Sequence, residues 1–265
     1  MVRLSKRFLG TAWLVVLLVA SAVLPLSAAH DPPLVAAAAD LQFPLHEIAT
    51  LFTQETGERV TLTFGSSGNF ARQIEQGAPF QLFFSADEGY VRNLAKAGRT
   101  VDQGAPYGVG RIVLFVPTGS PIKLDGTLKD LAAAARDGRL MHLAMANPDH
   151  APYGRAAQQA LQRQGLWLAV KDRLVLGENA AQATQFALSG SSEAAIIPLS
   201  LALSPAVSGK GSYLLLPADL HDPLCQRMVL LKGAGPTARN FYLFIQQPRA
   251  RMILERYGFT LPRRG

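Results

Sequence analysis

The sequence predicts an α/β protein in which the chain builds one part, leaves it for a second and comes back. Two observations carry this. Short apolar runs alternate with helical patterns along the chain, as strands layered against helices require. Residues 111–210 hold a complete set of strands and helices of their own, while the two helices that end the chain have no strand after them. Departure and return is one arrangement that fits. No internal repeat or low-complexity linker interrupts the pattern.

In chain order, residues 1–29 read as a secretory signal peptide. Arg3, Lys6 and Arg7 precede an uncharged apolar run, Pro25 breaks it, and Ser27-Ala28-Ala29 offers small residues before a cut at His30. The run is about 17 residues, the lower limit for a span, so an uncleaved anchor is the other reading. No cysteine follows it to carry a lipid. Removing residues 1–29 takes away three basic and no acidic residues, so +7 becomes +4. No run of Lys or Arg marks a nucleic-acid surface. Arg249, Arg251, Arg256, Arg263 and Arg264 read as a solvated helix and tail. Cys225 is the one cysteine, so neither an intramolecular disulfide nor a thiolate metal cluster can form. It falls in an apolar strand pattern and is expected to be a buried, inert thiol.

The elements follow. Residues 33–39 are a strand of small residues, and from Asp40 apolar residues recur at helical spacing up to Gly57. VTLTF (60–64) is a strand by its β-branched content. FGSSG then opens a helix that closes at Gly77. QLFFSA (81–86) is a strand, and DEGYVRNLAKAG a helix with an acidic first turn and a glycine stop. Strands are predicted at 111–117, 140–146 and 194–198, with two more in YLLLP and RMVLLKG. Helices are predicted from LKDLAAAARDG, GRAAQQALQRQGLW and ENAAQATQFALSG, the last after LVLG. Two helices close the chain, separated at Pro248.

Enzyme signatures are weak. Gly65-Ser66-Ser67-Gly68 is one residue short of a nucleophile elbow, and Gly68 is not followed by the Lys of a phosphate loop. His46, His142, His150 and His221 are scattered, with no pair at helical metal-ligand spacing. Ser67 with His150 is the one nucleophile–base pair to check.

Anion binding is better supported. Four helix openings carry small, hydroxyl or capping residues: Ala39-Asp40, Ser66-Ser67, Ala151 to Tyr153 and Glu178 to Ala180. The first N–H groups of a helix lack internal partners and lie at the positive end of its dipole. Several such ends converging make an oxyanion site, and glycine lets backbone approach closely. Each opening taken alone is equally an ordinary helix cap, worth about 1 kcal/mol. Spacing does not show whether they converge.

AAAADLQFPLHEIATLF, FGSSGNFARQIEQGAPFQLFFSAD, NPDHAPYGRAAQQAL and ERYGF, in this order, resemble the periplasmic molybdate-binding proteins of ABC transporters. The likeness spans residues 34–260, and the second block is its most specific part. It implies a two-lobed, type II periplasmic binding fold of the α/β class with a ligand cleft between the lobes. Residues 30–110 and 211–265 would form lobe 1, and 111–210 lobe 2. It also implies a monomer in the periplasm that captures molybdate or tungstate and passes it to a membrane permease. No enzymatic role, cofactor, bare metal cation or nucleic-acid partner is implied.

Carried over by position, the resemblance places the anion against Ala39, Asp40, Ser67, Tyr153 and Ala180. Ser67 would donate its hydroxyl, and Tyr153 and Ala180 their backbone N–H groups. This chain departs from the family twice. Asp40 stands where a hydroxyl donor is expected; it is expected to turn back and cap its helix, leaving its N–H for the ligand. Pro198 stands where some members have a tyrosine, with Ser200 nearby as a substitute donor. These departures keep open a different oxyanion or a small organic acid as cargo.

Overall fold

A computed structural model describes residues 31–261. The expected signal peptide lies outside the described residues, as do Arg263 and Arg264.

Two five-stranded mixed sheets organise the chain, each covered by helices. The first begins with β1 (Leu34–Ala38), a run of small apolar residues buried on both faces, as a strand between helical layers must be. A 3-10 turn (Ala39–Leu41) leads into α1 (Gln42–Thr56), which Gly57 ends in the left-handed conformation that glycine adopts without steric cost. Next come β2 (Thr61–Gly65), α2 (Ser67–Glu75), β3 (Leu82–Ser85), α3 (Glu88–Lys96) and β4 (Ala105–Gly110).

The second sheet starts at β5 (Ile112–Pro117), followed by α4 (Lys129–Asp137), β6 (Leu143–Ala146), α5 (Pro152–Arg163) and α6 (Trp167–Val170). It continues with β7 (Leu174–Gly177), α7 (Ala180–Leu188), β8 (Ala194–Pro198), α8 (Leu199–Ala202) and β9 (Gly211–Leu215). The chain then re-enters the first sheet as β10 (Leu224–Leu230) and ends in α9 (Pro236–Ile245) and α10 (Pro248–Arg256). Strand order is β2-β1-β3-β10-β4 in the first sheet and β7-β6-β8-β5-β9 in the second. Both are parallel at one end and antiparallel at the other: β1 runs parallel to β2 and β3, β6 to β7 and β8, while β10 and β5 run against their neighbours.

The core of the first lobe gathers Phe52, Phe84 and Phe241, with Phe52 edge-on to Phe241 at 5.1 Å between ring centroids. That arrangement suits the aromatic quadrupole. Leu114, Leu143, Met145 and Ile196 centre the second core. The chain crosses between the sheets twice, at Arg111 and after Leu215. Arg111 Nη2 donates to the Leu216 carbonyl at 2.8 Å, tying the two crossings together.

Two expectations are corrected, and one strand is added. The second sheet runs past residue 210: β9 pairs with β5 from Gly211 to Leu215, so the return falls after Leu215 and not at 211. Strand β4, with its alternating glycines and Pro106, was not predicted; it lies at a sheet edge, where a residue without an N–H is tolerated. Cys225 is half-buried and not fully buried, and desolvation raises its thiol pKa, which keeps it protonated.

Candidate ligand-binding site

Parallel strands deliver the chain to the cleft from both sides. In the first sheet Ala38 lies opposite Gly65, so the 3-10 turn after β1 and the start of α2 emerge together. In the second, Ala146 lies opposite Gly177, bringing out the loop before α5 and the start of α7. The carboxyl ends of parallel strands are where open α/β sheets place ligands.

These openings converge. Ala39, Asp40, Ser67, Tyr153 and Ala180, the five residues expected from sequence, line one cavity with Gly65, Ser66, Ala86 and Pro152 among its other walls. The cavity's empty volume is about 200 Å³. The walls are close together. None of the lining residues is Lys or Arg.

The caps leave donors over. Ser66 is the N-cap of α2, and its Oγ accepts from the Asn69 N–H at 3.2 Å. The Gly68 N–H goes across the cleft to the His150 carbonyl at 3.0 Å. Neither contact uses the Ser67 N–H. The Ser67 Oγ accepts from the Ala86 N–H at 2.9 Å, which leaves its own proton to give. At α7 the Asn179 side-chain Oδ1 accepts from the N–H groups of Ala181 and Gln182 and not from that of Ala180. At α5 Pro152 occupies the first position, so the Tyr153 N–H is the first donor of that helix.

Asp40 departs from expectation. It forms no side-chain cap on the 3-10 turn or on α1. Instead its Oδ2 accepts from the Tyr153 hydroxyl at 2.9 Å and from Gln226 Nε2 at 2.8 Å, and Gln226 Nε2 also reaches Tyr153 Oη at 2.9 Å. Asp40 is 0% exposed, and its Oδ1 has no hydrogen-bond partner among the described residues. Desolvation pushes its pKa from 3.8 up to about 6, against the opposing pull of these hydrogen bonds. Ser200 does not face the ligand as a substitute donor: its Oγ donates to the Asp40 carbonyl at 2.7 Å.

His150 takes Ser66, not Ser67, as its hydroxyl partner, with Nδ1 3.0 Å from Ser66 Oγ. This contact joins the cap of α2 in one lobe to the loop before α5 in the other. Nε2 is 3.5 Å from Glu178 Oε2, which also accepts from Asn69 Nδ2 at 3.0 Å. Together with Arg155, which donates to Tyr90 Oη at 2.9 Å and pairs with Asp87, these contacts hold the lobes closed.

Gln226 is the residue of the site that the sequence reading misses, while His150 and Ser200 take roles other than those considered for them. Gln226 had a legible signal, an amide within the apolar run LCQRMVLL, and it is 1% exposed.

Two mixed sheets with flanking helices, crossed twice by the chain and facing each other over a cleft, define a two-lobed periplasmic binding fold. Residues 33–260 match the bacterial extracellular solute-binding proteins, and the chain belongs to that family. It is 37% identical to the molybdate-binding protein ModA of Azotobacter vinelandii over 230 residues, covering 86% of this chain and 89% of that one. It is 38% identical to ModA of Rhodobacter capsulatus over 242 residues, covering 89% and 91%. The solved structure of the Azotobacter vinelandii periplasmic molybdate-binding protein superposes with a TM-score of 0.77 at 28% identity, covering 87% of this chain and all of that one. The family's members are solute-binding transport proteins.

Proposed function

We propose that the protein is a periplasmic receptor that captures molybdate, or tungstate, and delivers it to the permease of an ABC transporter. One observation carries this reading: four helix or turn openings converge on a single cavity walled by hydroxyls, backbone N–H groups and small residues without a Lys or Arg. Neutral donors in number can hold a dianion while avoiding the desolvation cost of burying opposed charges. The Ser67 hydroxyl and N–H and the N–H groups of Tyr153 and Ala180 are the donors, with the Ala39–Asp40 turn closing the fourth side. The relatives named as molybdate-binding support the choice of anion.

Closure is a hinge motion at the two crossings that buries the anion and presents a closed surface to the permease. Sulfate, with the same charge and four oxygens, is discriminated by cavity size. The protein acts as a monomer, without cofactor or nucleic-acid partner, and its role is binding and not catalysis. The Ser66–His150 contact supports this, because Ser66 is committed as the cap of α2 and His150 links the lobes.

The melting temperature of the mature protein, measured with molybdate, tungstate, sulfate and phosphate, tests the reading. A ligand of the folded state at a hundredfold excess over Kd adds about 2.7 kcal/mol of stability. The expected result is a shift with molybdate and tungstate and none with sulfate. A shift with none of the four overturns it.

A further inference from the structure

We propose that the cleft takes its oxyanion together with one proton, held between Asp40 Oδ1 and an oxygen of the anion. This rests on reading the cleft as an oxyanion site, and it assigns Asp40 as the residue that makes binding depend on protonation.

The geometry leaves few alternatives. Asp40 lines the cavity and is 0% exposed. Its Oδ2 is engaged by two donors, Tyr153 Oη and Gln226 Nε2, while Oδ1 has no partner among the described residues. No ion pair compensates it among those residues. The side chains that face it are Tyr153 of α5, Gln226 of β10, Tyr107 of β4 and Ser200 of α8, the last on its carbonyl, and the backbone N–H groups of Asp40 and Leu41 also lower its pKa. All four are neutral: burial and the Asp40 charge hold both tyrosines well above their ordinary pKa.

An ionised carboxylate can only accept hydrogen bonds, and so can a fully deprotonated oxyanion. Two such groups in contact within one buried cavity repel, and one of them gives way by taking a proton. The balance is simple. One proton enters from solvent with the anion, and no bond within the anion breaks. Either Asp40 becomes a carboxylic acid that donates to the anion, or a hydrogen oxyanion donates to the carboxylate. Both place the same proton in the same contact. Burial raises the Asp40 carboxyl to about 6, so above neutral pH that proton must be gained on binding.

Isothermal titration of the mature protein with sodium molybdate at pH 8, in two buffers of different ionisation enthalpy, counts the proton. The expected uptake is about one proton per anion, with affinity falling about tenfold per pH unit above pH 7. Asp40→Asn preserves an acceptor for Tyr153 and Gln226 and supplies an amide donor in place of the acid. It is expected to bind with no proton uptake and with a flat pH dependence. Binding by the unmodified protein without uptake overturns the inference and leaves the receptor reading intact. Uptake undiminished in Asp40→Asn likewise overturns the assignment to Asp40. No binding by either protein overturns the receptor reading and the inference with it. The buffer comparison on the unmodified protein decides the proton count even if the variant fails to fold.

Discussion

The Tyr153 hydroxyl donates to Asp40 Oδ2 at 2.9 Å, joining the first turn of α5 in one lobe to the turn after β1 in the other. Gln226, on the returning strand β10, completes the triangle with 2.8 and 2.9 Å contacts to both. Lobe closure and the polarity of the cavity therefore depend on the same three side chains. Closure over Asp40 demands that the carboxyl be satisfied or neutralised.

Tyr153→Phe removes the bridging hydroxyl but keeps the backbone N–H assigned to the anion. A buried acceptor deprived of a donor costs about 1–3 kcal/mol. Urea denaturation is expected to show a loss in that range, and titration with molybdate a weaker but measurable affinity. Unchanged stability and affinity would mean that this bond does not hold the lobes together.

Gly110→Ala acts on the same triangle by sterics. A Cβ there would sit 2.1 Å from Tyr153 Oη and 2.7 Å from Gln226 Nε2, well inside contact distance. Full closure is then blocked. The expected outcome is at least about a tenfold loss of affinity, as a displacement of a buried hydrogen bond implies. A larger radius of gyration by small-angle scattering should accompany it.

Ser66→Ala and Ser67→Ala should separate structure from binding. Ser66→Ala removes the α2 cap and should cost about 1 kcal/mol of stability. Ser67→Ala removes the hydroxyl assigned to the anion, a charge-assisted bond worth about 1.5–3 kcal/mol, or roughly a tenfold to hundredfold loss of affinity. It also leaves the buried Ala86 N–H without its acceptor, so some stability is lost as well. Equal affinity in Ser67→Ala and the unmodified protein would refute the assignment.

Asp40 also sets a pH dependence of stability in the absence of ligand. Its carboxyl is raised from 3.8 in the unfolded chain to about 6 in the folded one, so the folded state binds the proton more tightly. Stability from this group is complete below about pH 4 and is lost as pH rises through about 6. The shift corresponds to about 3 kcal/mol. Asp40→Asn is therefore expected to gain stability relative to the unmodified protein at pH 7.5 and to lose most of that advantage at pH 4.5. Urea midpoints at the two pH values measure the difference.

The helix openings around the cavity were legible because they have local chemistry. Ser66 as a cap and first N–H groups without helical partners follow from residue type and position, while the five residues that the resemblance assigns to the ligand line one cavity. What local chemistry does not encode is where a side chain turns when two partners compete. Asp40 had a nearby backbone to cap and a distant tyrosine to accept from; the tertiary contact won, because a buried carboxyl needs strong donors and Tyr153 and Gln226 supply them. Strand β4 escaped detection for a related reason: its glycines let Phe259 and the Tyr153–Gln226 pair approach, so its pattern reflects neighbours and not strand propensity.

The most direct test of the central claim is anomalous X-ray diffraction from crystals of the mature protein grown with molybdate. One strong molybdenum peak is expected between the lobes, within hydrogen-bonding reach, through its oxygens, of Ser67 Oγ and the N–H groups of Tyr153 and Ala180. A peak elsewhere, or an empty cleft at saturating molybdate, would contradict it.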